Sequence, residues 1–420
     1  MTSASGIDAA SLSKTIRPQD DFFRYVNGTW LDSHAIPADR AADGTFHKLR
    51  DDSEIAVRQI IEEAPEDSLV GALYRSFMDE DTLTALGTTP LDSDLAEIDA
   101  AESPESLAEL LGRLQREGTQ GGVGYYVFAA KADPDSNVVY LLQSGLGLPD
   151  EAFYREDAHA EVRAKYVEHL ARMAKLTGIG FDADAVLAVE TALAEHHWDV
   201  VKAREAELTY NPTTLAKLEA DAPGFPWRAW ADAIRLPEAA HDLLIASEPD
   251  YLVNFAGLWS SLPLEQWKEW LRWKLVASIA PYLTPEISKA NFDFYGTVLS
   301  GATEQRVRWK RGVQFVESAA GEAVGAEYVA RHFPPDHKEH MDRLVATLVR
   351  AYGEAIGELE WMTPETKAKA VDKLAQFTPK IGYPDKWRDY SGLTASATDL
   401  VGNVRVSSAF DADWDWSKIG

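Results

Sequence analysis

Apolar residues along most of this chain recur at helical spacing. From Phe46 to Ala64 they fall at 46, 49, 56, 57, 60 and 61, which predicts a helix with a break around Asp51 to Glu54. Ser103-Pro104-Glu105 supplies a capping hydroxyl and then a proline at the first helical position. Leu107, Leu110, Leu111 and Leu114 carry the apolar stripe of that helix, and glycines 118 to 124 end it. Val123 to Ala130 and Val138 to Gln143 predict two short strands joined by the turn Asp133-Pro134-Asp135-Ser136. Residues 160 to 178 and 184 to 208 predict strong helices; in the second, Leu187, Glu190, Ala194, Trp198, Val201 and Leu208 share a face. Prolines at 223, 226, 237, 249 and 263 punctuate shorter helices. Leu264 to Ile279 is amphipathic and rich in tryptophan, with Trp267, Trp270 and Trp273 expected in a core. Met341 to Leu359 keeps one apolar register, and Thr363-Pro364-Glu365 restarts a helix running to about Phe377. From Phe410 to Trp416 apolar and acidic residues alternate strictly. This predicts a strand with Phe410, Ala412, Trp414 and Trp416 on one face and three aspartates on the wet face.

The chain has 420 residues, enough for two or three domains, with 45% hydrophobic and 26% charged residues, as in ordinary globular proteins. A net charge of −27 argues against nucleic acid and anionic membrane surfaces as partners. The absence of cysteine excludes disulfides, thiolate metal sites and thiol nucleophiles. Met1 to Lys14 has no basic start followed by an apolar run, and no stretch is long and apolar enough for a membrane span. A cytoplasmic location is expected.

Few residues suggest chemistry on spacing alone. Ten histidines are present, and none begins a His-Glu-x-x-His pair of zinc ligands with its general base. His196 and His197, read as neighbours on a helix, point about 100° apart and cannot both reach one metal in the usual way. His337 and His340 stand one turn apart in a charged stretch with no third ligand nearby, and read as a solvated helix start. Asp411, Asp413 and Asp415 copy the first half of a calcium loop, but Trp416 stands where that loop needs glycine. No dinucleotide fingerprint, phosphate loop or Gly-x-Ser-x-Gly elbow is complete.

Several blocks taken in order resemble the neprilysin-type (M13) zinc peptidases of bacteria. They are Asp20-Asp-Phe-Phe-Arg-Tyr-Val-Asn-Gly-Thr-Trp30, Ile36-Pro-Ala-Asp-Arg40 and Ser144-Gly-Leu-Gly-Leu-Pro-Asp150, then His197-Trp198 with Val201, Arg204, Tyr210 and Asn211. Gly301-Ala-Thr-Glu-Gln-Arg306 with Arg308-Trp-Lys-Arg-Gly312 is a specific match. Gly321-Glu-Ala-Val-Gly325, His332-Phe-Pro-Pro335, Trp361-Met-Thr-Pro-Glu-Thr-Lys-Ala-Lys-Ala370 and Lys380-Ile-Gly-Tyr-Pro-Asp385 complete the series.

The resemblance implies a mainly α architecture: a large helical lid with a small β-hairpin, facing a thermolysin-like catalytic domain that is incomplete here. Residues 1 to 15, small and polar, read as a flexible tail, and by the resemblance 16 to 55 would pack on the catalytic domain. Residues 56 to 340 would form the lid, and 341 to 420 would cross back and begin the catalytic domain. It also implies zinc in the complete enzyme, none bound by this chain, and peptides as substrates. The ligand histidines, the general-base glutamate and the substrate-binding Asn-Ala motif have no counterpart here. A second polypeptide carrying that half is the expected partner; the strand near Trp416 would dock on it, pair with another copy, or be poorly protected in solution. Phe46 and Arg50 match family positions that bind the substrate's C-terminal side, whereas Ala42 and Asp43 replace an arginine and an aromatic. Two functions follow: the lid portion of a zinc endopeptidase of small peptides, or a non-catalytic peptide-binding or scaffolding protein derived from such a lid.

Overall fold

Ser103 starts its helix as its position predicts. In the computed structural model, which describes residues 9–420, Ser103 Oγ accepts the Ser106 N–H at 3.1 Å. Ser106 Oγ in turn accepts the Ser103 N–H at 3.2 Å, so two otherwise orphaned donors are satisfied. The helix, Pro104–Arg116, buries its leucines and packs tightly on the helix Trp227–Ala233. Gly112 permits that approach: a Cβ there would lie 2.8 Å from Ala233 Cβ and 2.8 Å from the Trp230 carbonyl oxygen.

The main core forms around the tryptophan-rich helix Leu264–Ile279. Trp267, Trp270 and Trp273 are each at most 1% exposed, and Trp227, Trp230 and Trp259 join them. Large side chains buried this fully contribute about 1.5–3 kcal/mol each through area removed from water. A smaller core lies between the helices Thr45–Glu63, Leu69–Met78 and Arg308–His332, where Ile60, Ile61, Leu73, Phe77, Val313 and Val316 meet. The long helix Arg308–His332 is not continuous, because Ala320 sits at φ −146°, ψ 39°, outside helical geometry.

Strands β1 (Val123–Ala129) and β2 (Asn137–Gln143) form the expected antiparallel hairpin. Two further three-residue strands extend it: β3 (Asn211–Thr213) and β4 (Leu244–Ala246), giving the order β1-β2-β4-β3. β4 runs parallel to β2, with Val139 opposite Leu244 and Tyr140 opposite Ile245.

Four readings of the sequence are corrected. The helix Thr45–Glu63 is unbroken at Asp51 to Glu54, because the charges there are paired across to Arg40, Arg306 and Lys310. The helix expected over 184 to 208 is Ala183–Ala194 and stops there. His196 and His197 therefore lie beyond its end rather than on it. The alternating segment from Phe410 to Trp416 is not a strand: it is the last part of a helix, Leu400–Trp416, capped by Asp399. Its acids remain about half exposed, and two of them are paired, Asp411 with Arg388 at 2.7 Å and Asp413 with Arg116 at 2.5 Å. Its last aromatic is covered from within this chain. Trp416 is 7% exposed, its indole N–H donates to the Ile234 carbonyl at 3.1 Å, and its ring stacks on Tyr125.

The helices Pro335–Glu358 and Pro364–Ala375 form where expected, each with a proline in its first turn. They pack on each other, yet neither contains a single buried residue. Leu344, Leu348, Tyr352, Trp361 and Phe377 are 50–74% exposed, a continuous apolar face far beyond scattered surface residues. Among the described residues no helix is long and apolar enough to cross a membrane.

Candidate functional site

The segment from Arg40 to Arg50 leaves a turn closed by the Arg40 N–H on the Pro37 carbonyl at 3.2 Å, and enters the helix Thr45–Glu63. Phe46 and Arg50 are one turn apart and project to the same side. Phe46 is 86% exposed, and the exposed Arg50 guanidinium makes no ion pair among the described residues. A free cation beside an uncovered aromatic ring can take a carboxylate and an apolar group together.

Charges anchor this segment from behind. Asp43 accepts from His34 Nε2 at 2.7 Å and from the Gly44 N–H at 2.9 Å. Arg40 reaches Asp51 at 2.9 Å, and Lys310 Nζ bridges Asp51 at 3.2 Å and Glu54 at 3.3 Å. Arg306 also donates to Glu54. Burial raises the Asp51 carboxyl, but Arg40 and Lys310 outweigh it and hold the group below its ordinary value. The Thr303 and Glu304 N–H groups both donate to the Ala38 carbonyl, at 2.9 and 3.0 Å. The Gly301 to Gly312 block thus braces the start of the segment and its helix. Asp43 joins this bracing.

Beside the bracing lies a cleft of about 440 Å³, lined by Arg306, Arg311, Ser288, Asn291, Tyr282 and Tyr295 among others. A second cavity, about 290 Å³, shares Asn291 and Tyr295 and reaches Lys274. Lys274 is 2% exposed and pairs with Glu190, itself fully buried, at 2.8 Å. The Tyr154 and Tyr166 hydroxyls donate to the same carboxylate at 2.7 and 3.2 Å, and Lys274 also donates to Gln120 Oε1 at 3.1 Å. Burial, seconded by Glu190, pushes both phenols well above their ordinary range. Burial lowers the Lys274 ammonium while Glu190 opposes it. With every charge partnered, this network holds four elements together and leaves no group poised for proton transfer.

The histidines separate. His197 is buried, its Nε2 lies 3.1 Å from the Ser144 carbonyl, and burial pulls it down to about 4. His337 and His340 are exposed on the first turns of their helix. Among the described residues no three His, Asp or Glu side chains come together as a metal site. Two groups escaped the sequence reading. Lys274 stands seven residues after Trp267, on the buried face of the same helix, and that spacing was the available signal. Arg311 lay inside a block read only as a family signature.

A profile of peptidase family M13 matches residues 18–384. Mouse endothelin-converting enzyme 1 is 26% identical over 398 residues, covering 89% of this chain and 51% of that protein. The chain therefore spans about half the length of the curated relatives it matches. The crystal structure of Mycobacterium tuberculosis zinc metalloprotease Zmp1 in complex with inhibitor superposes with a TM-score of 0.92 at 46% identity, over 98% of this chain and 64% of that one. PepO from Lactobacillus rhamnosis shares the fold, with a TM-score of 0.82 at 22% identity over 96% of this chain and 67% of that one. On the profile match, the ordered sequence blocks and the superposition, this chain belongs to peptidase family M13.

Proposed function

We propose that this chain forms the lid side of a zinc-dependent endopeptidase of small peptides, with the zinc-binding half contributed by polypeptide outside residues 9–420. The observation that carries this reading is the uncovered apolar face of the hairpin Pro335–Ala375, from Leu344 to Phe377. A face of that size needs a partner surface. The longer relatives supply the reason to identify that partner with the family's catalytic half. In this reading residues 56 to 340, joined by the helix Leu400–Trp416, form the lid that faces the catalytic half. Arg50 takes the carboxylate at the substrate's C-terminal side and Phe46 packs against the neighbouring side chain. This chain's residues bind and orient the peptide and keep bulk water and large proteins away. They carry out no bond cleavage.

The test is reconstitution. The 420-residue chain alone should not hydrolyse a fluorogenic peptide. Adding or fusing a segment that carries His-Glu-x-x-His should bury the hairpin face and give hydrolysis that a chelator abolishes. Chelator-sensitive hydrolysis by the chain alone would overturn the reading. Peptide binding with no activity in any reconstituted form would favour the non-catalytic alternative.

A further inference from the structure

Nearly every cation near the cleft has an acid. Arg306 is held by Glu54, Lys310 by Asp51 and Glu54, and Arg308 by Glu80 at 3.0 Å. Arg311 is the exception. Its Nε donates to the Arg306 carbonyl at 3.0 Å and its Nη1 to Ser288 Oγ at 3.2 Å. No carboxylate lies within ion-pair distance of it among the described residues, and its Nη2 has no protein acceptor there. Burial, with repulsion from Arg308, lowers this guanidinium below its ordinary value, and Glu80 compensates only in part. A partly desolvated cation held without a close counter-charge is costly.

The walls around it are suited to a ligand. Phe77, Tyr282 and Phe315 form an aromatic floor with ring centroids 5.6–6.4 Å apart, and Arg311 lies 5.8 Å above the Phe77 ring. Asn291 Oδ1 is buried without a hydrogen-bond partner and can accept an N–H. The one carboxylate in the lining, Asp39, is engaged by Arg40 at 3.2 Å. The volume of about 440 Å³ is that of a small-ligand site, enough for one or two amino-acid residues.

We propose that this cleft is a peptide-binding subsite in which Arg311 takes a carboxylate, Asn291 takes an amide N–H, and the Phe77–Tyr282–Phe315 floor takes an apolar side chain. The shared chemistry is a carboxylate next to an apolar group, whether the carboxylate is a chain terminus or an acidic side chain. The subsite is separate from Phe46 and Arg50 and does not rest on the peptidase reading, because it is built entirely from this chain.

Calorimetric titration of the 420-residue chain with three probes tests it: N-acetyl-Ala-Phe acid, its C-terminal amide, and N-acetyl-Phe-Glu amide. Binding of the first alone assigns a terminal carboxylate, and binding of the third alone an acidic side chain. Binding of both acids but not the amide assigns any carboxylate. Arg311→Gln should weaken the acid that binds by about tenfold to a hundredfold, the range for a charge-assisted hydrogen bond. Should that variant fail to fold, Ser318→Asp, an exposed position on the cleft wall, adds a competing carboxylate and should weaken binding similarly. Equal binding of amide and acids, no binding of any probe at millimolar concentration, or unchanged affinity in whichever variant folds would overturn the proposal. None of these outcomes depends on hydrolysis, so loss of this subsite and loss of the peptidase function are read separately.

Discussion

Replacing Lys274 by methionine tests whether the buried charge pair holds the tryptophan core in place. The two side chains are 2% and 0% exposed and 2.8 Å apart, so water cannot replace either partner. Removing one member of such a pair costs about 3–5 kcal/mol, because the other charge is left buried. Glu190 keeps the Tyr154 and Tyr166 hydroxyls as donors, which places Lys274→Met toward the lower end of that range. Adding Glu190→Gln should recover much of the loss, since no buried charge remains and the amide oxygen still accepts one of the two phenols, which now donate to separate carboxylate oxygens. Urea unfolding followed by tryptophan fluorescence measures both variants, with unchanged slopes required for the comparison. A loss under about 1 kcal/mol for Lys274→Met, or a double variant no better than the single one, would refute the argument.

Trp416→Ala should destabilise the fold by about 3–5 kcal/mol, the usual range for a deleted core aromatic, and residues 405 to 416 should resist hydrogen exchange in a monomeric sample. Rapid exchange there would contradict the docked helix. His169 and His197 are both pulled from 6.5 to about 4, chiefly by burial. Folding keeps them neutral, so the unfolded chain binds protons first: stability is intact above pH 6.5 and falls as pH drops toward 4, by about 3 kcal/mol per histidine at most. In His169→Phe, which keeps the stacking on Phe294, acid unfolding should begin at lower pH. Phe46→Ala and Arg50→Gln should change stability by less than about 0.5 kcal/mol, being exposed. In a reconstituted enzyme Arg50→Gln should raise KM about tenfold or more with little change in kcat, and an unchanged KM would remove it from substrate binding.

Local signals were legible where the chain writes them locally. Ser103 and Pro104 mark a helix start whose cap needs nothing from elsewhere, and the Asp133 to Ser136 turn fixes the hairpin. The end of the chain misled because its alternation has a second meaning. On a helix Phe410 and Trp414 are one turn apart, and both lie against the Arg388 guanidinium at 4.5 and 4.9 Å, while Trp416 turns into the core. A period of two therefore arose from a helix gripped on several sides, where no single apolar stripe is needed. β3 and β4 are three residues each and exist only through pairing across a long sequence gap, so no window could find them. Arg311 and Lys274 were hidden for a related reason, since whether a cation has an acid is settled by segments well separated in sequence, as Glu190 is from Lys274.

The docking of the helix Leu400–Trp416 also sets a timetable. Asn403 donates to Ser76 Oγ across 327 residues, Arg405 reaches Asp94 across 311, and Asp413 reaches Arg116 across 297. At about 5–20 residues per second, a ribosome takes on the order of 15 to 60 s to pass from Ser76 to Asn403, 327 residues later. During that interval the first helices are complete and their closing piece does not yet exist. Asp94 has only Arg113, Arg116 lacks its aspartate, and the Tyr125 ring has no indole above it. The emerging chain must carry that open seam, aromatic and charged, through most of its own synthesis before it can be shut.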